Sequence, residues 1–239
     1  MSKKTTKFAS SGLAVLLLMG AGSVAAATIN FNFSGLNENS YVSDVTVGGV
    51  TMSVTGTQSS TGSGSNVARI YDTKAGHTTD PDLNYGSSGF TNLNTGITGV
   101  DLGNVLIIDE NGLGTTSDDN QNGGKFSLSF SQPLSLESLD VVDSDSGKVT
   151  IKLFDANDNL LGSFSNLLNG DTNRPVNLFE TIRLSGMSPV TKLEVVSTTS
   201  FAIDNIKGSA VPIPAAVWLF GSALLGLAGV GYRRRPSAI

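Results

Sequence analysis

Lys125-Phe-Ser-Leu-Ser-Phe130 alternates polar and apolar side chains, and Ser138-Leu-Asp-Val-Val142 and Val149-Thr-Ile-Lys-Leu-Phe154 follow in the same style. A period of two is that of a strand with one face on a core and the other in water. Outward from this centre the pattern recurs in Thr28-Ile-Asn-Phe-Asn-Phe33, Val50-Thr-Met-Ser-Val54, Val67-Ala-Arg-Ile-Tyr71, Val105-Leu-Ile-Ile108, Leu160-Leu-Gly-Ser-Phe164, Thr181-Ile-Arg-Leu184, Lys192-Leu-Glu-Val-Val196 and Phe201-Ala-Ile-Asp-Asn-Ile206. No stretch of this middle region sustains a 3.6-residue period over three turns. Eleven short runs separated by Gly, Asn, Asp and Ser predict an all-β domain, an antiparallel β-sandwich over residues 28–208, with Ile203 of the closing strand inside.

Composition supports one such domain and narrows its chemistry. Residues 28–208 hold 21 glycines, and no charge run or Pro-rich linker divides them. The nearly pure Gly, Ser and Thr stretch Thr55 to Ser65 reads as a loop, as does much of Thr73 to Gly103. The 239-residue chain has 15 Lys plus Arg, 20 Asp plus Glu, one His and no Cys. Six of the basic residues lie at the extreme ends, so residues 28–210 carry nine positive and twenty negative charges. A surface this acidic repels phosphate backbones and excludes nucleic acid as a partner. Without Cys there is no disulfide, zinc thiolate or cysteine nucleophile. His77 stands alone, with no Gly-x-Ser-x-Gly elbow to serve.

The two ends read as addresses. Residues 1–27 have a basic start (Lys3, Lys4, Lys7), an apolar core at Leu13 to Met19 and a small-residue cleavage site at Ala25-Ala-Ala27, the order of a secretory signal peptide. Residues 209–239 contain an uncharged apolar stretch, about 213–232, followed by Arg233-Arg-Arg235. Roughly 20 apolar residues suffice to span a bilayer, and the arginines would hold the inner end in the cytoplasm. The expected precursor is exported and anchored by a C-terminal transmembrane helix.

Val211-Pro212-Ile213-Pro214, then Ala-Ala-Val-Trp-Leu-Phe-Gly-Ser and the closing Arg233, Arg234 and Arg235, resembles the PEP-CTERM sorting signal of exported bacterial proteins. Ile213 stands where a glutamate would complete Pro-Glu-Pro. The resemblance covers about 25 residues and implies that an integral-membrane exosortase recognises the tail, cuts near Val211 to Pro214 and passes the domain to the cell surface or matrix. The sandwich pattern, the turn Phe154-Asp-Ala-Asn-Asp-Asn-Leu160 and the ending Ile203-Asp-Asn-Ile206 together resemble the galactose-binding-like jelly rolls that accompany such tails, which makes the expected sandwich jelly-roll-like.

Carboxylates gather in the turns: Asp72, Asp80 and Asp82, Asp109 and Glu110, Asp118 and Asp119, Asp143 and Asp145. Oxygen-only loops suit a hard cation such as Ca²⁺. Asp118-x-Asn120-x-Asn122-Gly123 matches the first half of a calcium loop, yet Ser129 stands where the bidentate Glu would be, so an EF-hand is excluded. Two readings remain: an isolated Ca²⁺ site using Asp118, Asn120 and Asn122 or Asp80, Asp82, Asp143 and Asp145, and a solvated Asp- and Asn-rich turn. Tyr71, Tyr85 and Phe90, with nearby Asn and Asp, offer platforms for a sugar. The expected function is therefore a non-catalytic surface or matrix protein, a weak carbohydrate binder or structural component of exopolysaccharide and biofilm. An extracellular glycan-active hydrolase using paired carboxylates is the alternative.

Overall fold

The computed structural model describes residues 27–59, 66–74, 83–84, 88–112, 115–143, 149–165, 177–184 and 187–211, with Ser222, Ala223 and Leu225 beyond them. Ala26–Pro212 forms one compact unit. Its described residues build a twelve-stranded sheet network: β1 Thr28–Phe31, β2 Asp44–Val47, β3 Val50–Gln58, β4 Ala68–Asp72, β5 Thr91–Asn92, β6 Asn104–Ile108, β7 Gly124–Val142, β8 Thr150–Phe154, β9 Leu160–Ser165, β10 Leu178–Arg183, β11 Val190–Ser197 and β12 Ala202–Ala210. Every pairing is antiparallel except the short β5–β10 contact. The chain is all-β, as its alternation predicts.

One strand organises the rest. β7 runs for 19 residues. Its first part, from Gly124, lies between β3 and β11; its second part, to Val142, lies between β10 and β12. The sequence pattern gives two runs here, Lys125 to Phe130 and Ser138 to Val142, with Pro133 between them. The β11 pairing jumps from Ser129 to Leu134, so Pro133, which has no N–H, sits where the ladder changes partners and loses no bond. Its carbonyl accepts the backbone N–H of Val211 at 3.1 Å. Two strand groups result, β2-β3-β7-β11-β8-β9 and β5-β10-β7-β12-β6-β4, with β1 beside the end of β12. This division is consistent with a sandwich.

A continuous apolar cluster draws on both groups, with Met52, Val54, Phe126 and Leu128 from one and Ile29, Leu139, Val141, Ile203 and Ile206 from the other. Phe126 meets Phe201 edge-on at 5.4 Å, and Phe31 meets Phe130 at 5.8 Å. Burying each such side chain contributes about 1.5–3 kcal/mol. Ile203 is fully buried, as expected.

Two loop expectations are corrected. Thr55 to Gln58 continue β3 and pair with β7. β-branched Thr suits that pleat, and Gly56 permits the close approach of the neighbouring strand, since a Cβ there would lie 2.7 Å from the Ala68 nitrogen. Within Thr73 to Gly103, β5 and the Phe90–Val100 bridge form an ordered turn. The Phe154 to Leu160 turn closes the β8–β9 hairpin, with Asp158 at φ 61° and Asp155 Oδ1 accepting the N–H groups of Asn157 and Asn159. The side chain and backbone of Asn159, then the backbone of Asn157, hold the Asp155 carboxyl below the usual range. β12 continues two residues past Gly208.

Candidate functional site

Three polar centres interrupt the apolar interior. The first pins a loop. Arg69 on β4 is only 2% exposed, and its Nη1 donates to both Asp109 oxygens at 3.1 and 3.0 Å. The rest of the guanidinium is saturated by carbonyls: Nε donates to Asn39, Nη1 also to Gly112, and Nη2 to Thr115. The Tyr41 hydroxyl donates to Asp109 Oδ2 at 2.9 Å, and the Gly112 and Asp118 amides add further donors. Burial, followed by that hydrogen bond, pushes the Tyr41 phenol up. A fully satisfied, fully enclosed ion pair of this kind fixes structure and leaves nothing for a ligand.

The second centre contains most of the described residues of the expected calcium set. Asn120 is buried, and its Oδ1 accepts the Asn122 N–H at 3.0 Å, a local turn bond. Gly123 follows at φ 65°, where a Cβ would fall 2.5 Å from the Ser197 carbonyl oxygen. Asp118 Oδ2 accepts from Asn111 Nδ2 at 3.2 Å. These three residues shape the turn. The residue turned inward is Asp119, which the calcium-loop spacing passes over: it accepts from the Ser200 hydroxyl, whose oxygen lies 3.5 Å from Asp143 Oδ2. The structure thus brings Asp143 to the 118–123 turn through Ser200. Asp80, Asp82 and Asp145, like Tyr85, His77, Pro212, Ile213, Pro214, Arg233, Arg234, Arg235 and the expected 213–232 helix, lie outside the described residues. Among the described residues no group of three or more His, Cys, Asp or Glu is placed to hold a metal, and no helix is long and apolar enough to cross a membrane. Tyr71 and Phe90 are fully buried, which removes them as sugar platforms.

The third centre opens to the surface. The Asn92 to Leu102 turn, β10 and β12 enclose a cavity of about 310 Å³ lined by Asp140, Asn205, Lys207, Thr181, Asn92 and Ile97, among others. Its polar groups are wired in series. Asn92 Nδ2 donates to Thr181 Oγ1 at 3.1 Å, and that hydroxyl donates to Asp140 Oδ1 at 2.6 Å. Asn205 Nδ2 donates to Asp140 Oδ2 at 3.0 Å and to Asp204 Oδ2 at 2.9 Å, while Asn30 Nδ2 donates to Asn205 Oδ1 at 3.1 Å. Burial raises the Asp140 carboxyl above its ordinary range. Burial, helped by the neighbouring Asp140, pushes Asp204 up to about 8, against the opposing pull of the Asn205 and Phe33 amides and of Lys207. Ile97 is 59% exposed at the rim, a small apolar face beside these donors and acceptors. Loop-directed sequence reading missed this centre because its carboxylates sit inside strands. The available signal was an acidic residue within an otherwise apolar run, in Ser138-Leu-Asp-Val-Val142 and in Ile203-Asp-Asn-Ile206.

With this geometry the class is an all-β protein with a polar cavity at the junction of β10 and β12. No family model and no curated protein matches the chain. Among solved structures it is similar to a DUF4465 family protein from Bacteroides caccae, at 15% identity over 83% of this chain and 99% of that one, with a TM-score of 0.42. It is also similar to the enzymatically active domain of tailspike protein 4 of bacteriophage CBA120, at 13% identity over 66% of this chain and 19% of that one, with a TM-score of 0.29.

Proposed function

We propose that the chain is an exported surface or matrix protein whose jelly-roll-like sandwich binds a hydroxyl-rich ligand, a saccharide of an exopolysaccharide or biofilm, without transforming it. The observation that carries this reading is the β10–β12 cavity. Asp140, Thr181, Asn92 and Asn205 are mutually bonded and therefore held in place, Lys207 adds a cation, and Ile97 offers an apolar patch to the face of a sugar ring. Ordered carboxylate, amide and hydroxyl groups around a partly apolar cavity are what recognition of a sugar needs. With Tyr71 and Phe90 buried, the site has no exposed aromatic platform among the described residues, which suits weak binding.

Export and sorting complete the proposal: a signal peptide at residues 1–27, a transmembrane helix at about 213–232, and processing by an exosortase that reads Val211 to Pro214 and the arginine cluster. Intact-mass measurement of the surface-associated protein in its own host tests the sorting part. A mature chain without Trp218 and Arg233 to Arg235 supports it; a full-length C-terminus reduces the tail to an anchor.

The ligand is tested by titrating purified full-length protein with exopolysaccharide from the producing cells. Ile97→Ser combined with Lys207→Ala weakens binding about tenfold if the cavity is the site, as loss of one or two contacts would; unchanged binding contradicts it. The hydrolase reading has one supporting observation, that Asp101 and Asp140 both line the cavity. Asp101, however, is half exposed and paired with Lys74, and its Oδ1 accepts the Gly103 amide. Release of reducing ends from the same polysaccharide, abolished by Asp140→Asn, would favour the enzyme.

A further inference from the structure

Asp204 on β12 lies directly opposite Asp140 on β7 in the antiparallel ladder. Side chains in that relation share a face, with Cβ atoms about 4.5–5.5 Å apart, and like charges so placed repel. Both residues are buried, Asp204 at 1% and Asp140 at 5% exposure. Neither belongs to an ion pair among the described residues; Lys207 is the basic residue on the same cavity wall. Two buried carboxylates facing each other need a proton or a compensating cation to relieve their repulsion.

The local backbone is built to gather oxygens around them. The β12 register shifts between Asp204 and Lys207, and Asn205 takes φ 48°, a bulge that turns its amide between the two carboxylates. Asn205 Nδ2 then reaches one oxygen of each, and Asn30 reaches Asn205 Oδ1. Two oxygens are left over. Asp204 Oδ1 and Asn30 Oδ1 are sealed from solvent and meet no donor at hydrogen-bonding geometry among the described residues. Orphaned buried acceptors on neighbouring side chains are rare in a settled interior.

Turning both amides over exchanges the Asn30 orphan oxygen for its amide nitrogen and leaves Asp204 Oδ1 as the buried acceptor still in need of a partner. Asn205 Nδ2 then donates to Asn30 Oδ1. Asn205 Oδ1 takes the place of Nδ2, 3.0 Å from Asp140 Oδ2 and 2.9 Å from Asp204 Oδ2. Oxygens about 3 Å apart are spaced as adjacent ligands of an ion with bonds of about 2.3–2.6 Å. We propose that the β12 bulge binds one Ca²⁺ ion through Asp140, Asp204 and Asn205, with Asp204 Oδ1 available as a second oxygen of a bidentate carboxylate. Asp140 and Asn205 line the cavity, so waters complete the six to eight oxygens that Ca²⁺ takes. An all-oxygen, partly hydrated site favours this ion over Zn²⁺, and its uneven geometry disfavours Mg²⁺. The site differs from the loop sets containing Asp118 or Asp80, and it stands whether or not the cavity binds sugar.

The test is a melting curve of full-length protein stripped with EDTA and then given millimolar Ca²⁺ or Mg²⁺, with equilibrium dialysis to count bound calcium. The wild-type chain binds one Ca²⁺, and its Tm rises by about 5 °C or more at 100 times the dissociation constant. Asp204→Asn binds none and shows no calcium-dependent rise, Asn205→Gly, which keeps the positive φ, binds at least tenfold more weakly, and Asp118→Asn behaves as wild type. Absence of calcium binding in the wild-type chain, equal shifts from both ions, or a calcium shift that survives Asp204→Asn overturns the proposal. Should Asp204→Asn fail to fold, Asn205→Gly decides, and unchanged affinity there refutes the site. Polysaccharide binding is read separately by Ile97→Ser with Lys207→Ala, so either conclusion can fail without the other.

Discussion

Two buried carboxylate centres in this sheet network solve the same problem in opposite ways. At β4 and the 109–119 loop, Asp109 faces a buried guanidinium, and the carboxylate oxygens and guanidinium nitrogens of the pair all have partners. At β7 and β12, Asp140 faces Asp204, and two acceptors are left without donors among the described residues. The first arrangement is complete by itself and only holds the loop in place. The second is incomplete and lies against a cavity open to the surface. Charge balance inside the fold therefore separates a complete centre from an incomplete one.

The comparison breaks first at Asp109. Asp109→Asn leaves a buried arginine uncompensated and should cost about 3–5 kcal/mol, the usual loss when one partner of an enclosed pair is removed; chemical denaturation measures it. A loss below 1 kcal/mol would mean the pair is hydrated and open. Asp204→Asn should act in the opposite sense in metal-free buffer at pH 8 and above, where the carboxyl ionises beside Asp140, raising stability by about 1 kcal/mol or more because it removes a buried charge facing a like charge.

Acid sharpens the contrast. The Asp204 carboxyl titrates near 8 in the folded chain against an ordinary value of 3.8. The folded state holds that proton more tightly than the unfolded state, so its stabilising contribution is full below about pH 4 and is lost as pH rises through 8. Metal-free protein should accordingly lose stability from this group between pH 4 and pH 8. Asp140 and Lys207 are the charged groups facing it, and Asp204→Asn should flatten the slope. The smallest effect is at the edge of the first centre: Tyr41→Phe removes one hydrogen bond to Asp109, at about 1 kcal/mol, and abolishes the phenol that resists ionisation in an alkaline absorbance titration.

The fold was legible in the sequence because alternation is a local signal. All eleven runs quoted above, from Thr28-Ile-Asn-Phe to Phe201-Ala-Ile, reappear as separate strands or as parts of β7, and the Asp155 to Asn159 turn closes its hairpin as its residues require; Thr181-Ile-Arg-Leu184 gains three residues at its start in β10, Leu178–Arg183. The continuity of β7 was hidden because Pro133 reads as a breaker, whereas its missing N–H falls where the ladder changes register. β2 and β5 were too short and polar to stand out. The cavity was hidden for a different reason. Asp140 and Asp204 are 64 positions apart in sequence, and only strand register sets them opposite each other. A bulge at Asn205 has no composition signal. Counting carboxylates in loops led to Asp118, Asn120 and Asn122, where Asp118 Oδ2 accepts from Asn111 and Asn120 Oδ1 accepts from the Asn122 amide.

The central claim is that the two centres differ in sign: one carboxylate stabilises the fold and the other strains it until a cation or proton arrives. Equilibrium urea unfolding of Asp109→Asn and Asp204→Asn, side by side with wild type in EDTA at pH 8, tests it directly. The midpoint should fall for Asp109→Asn and rise for Asp204→Asn; a comparable fall in both would show Asp204 to be an ordinary satisfied core carboxylate and would contradict the account.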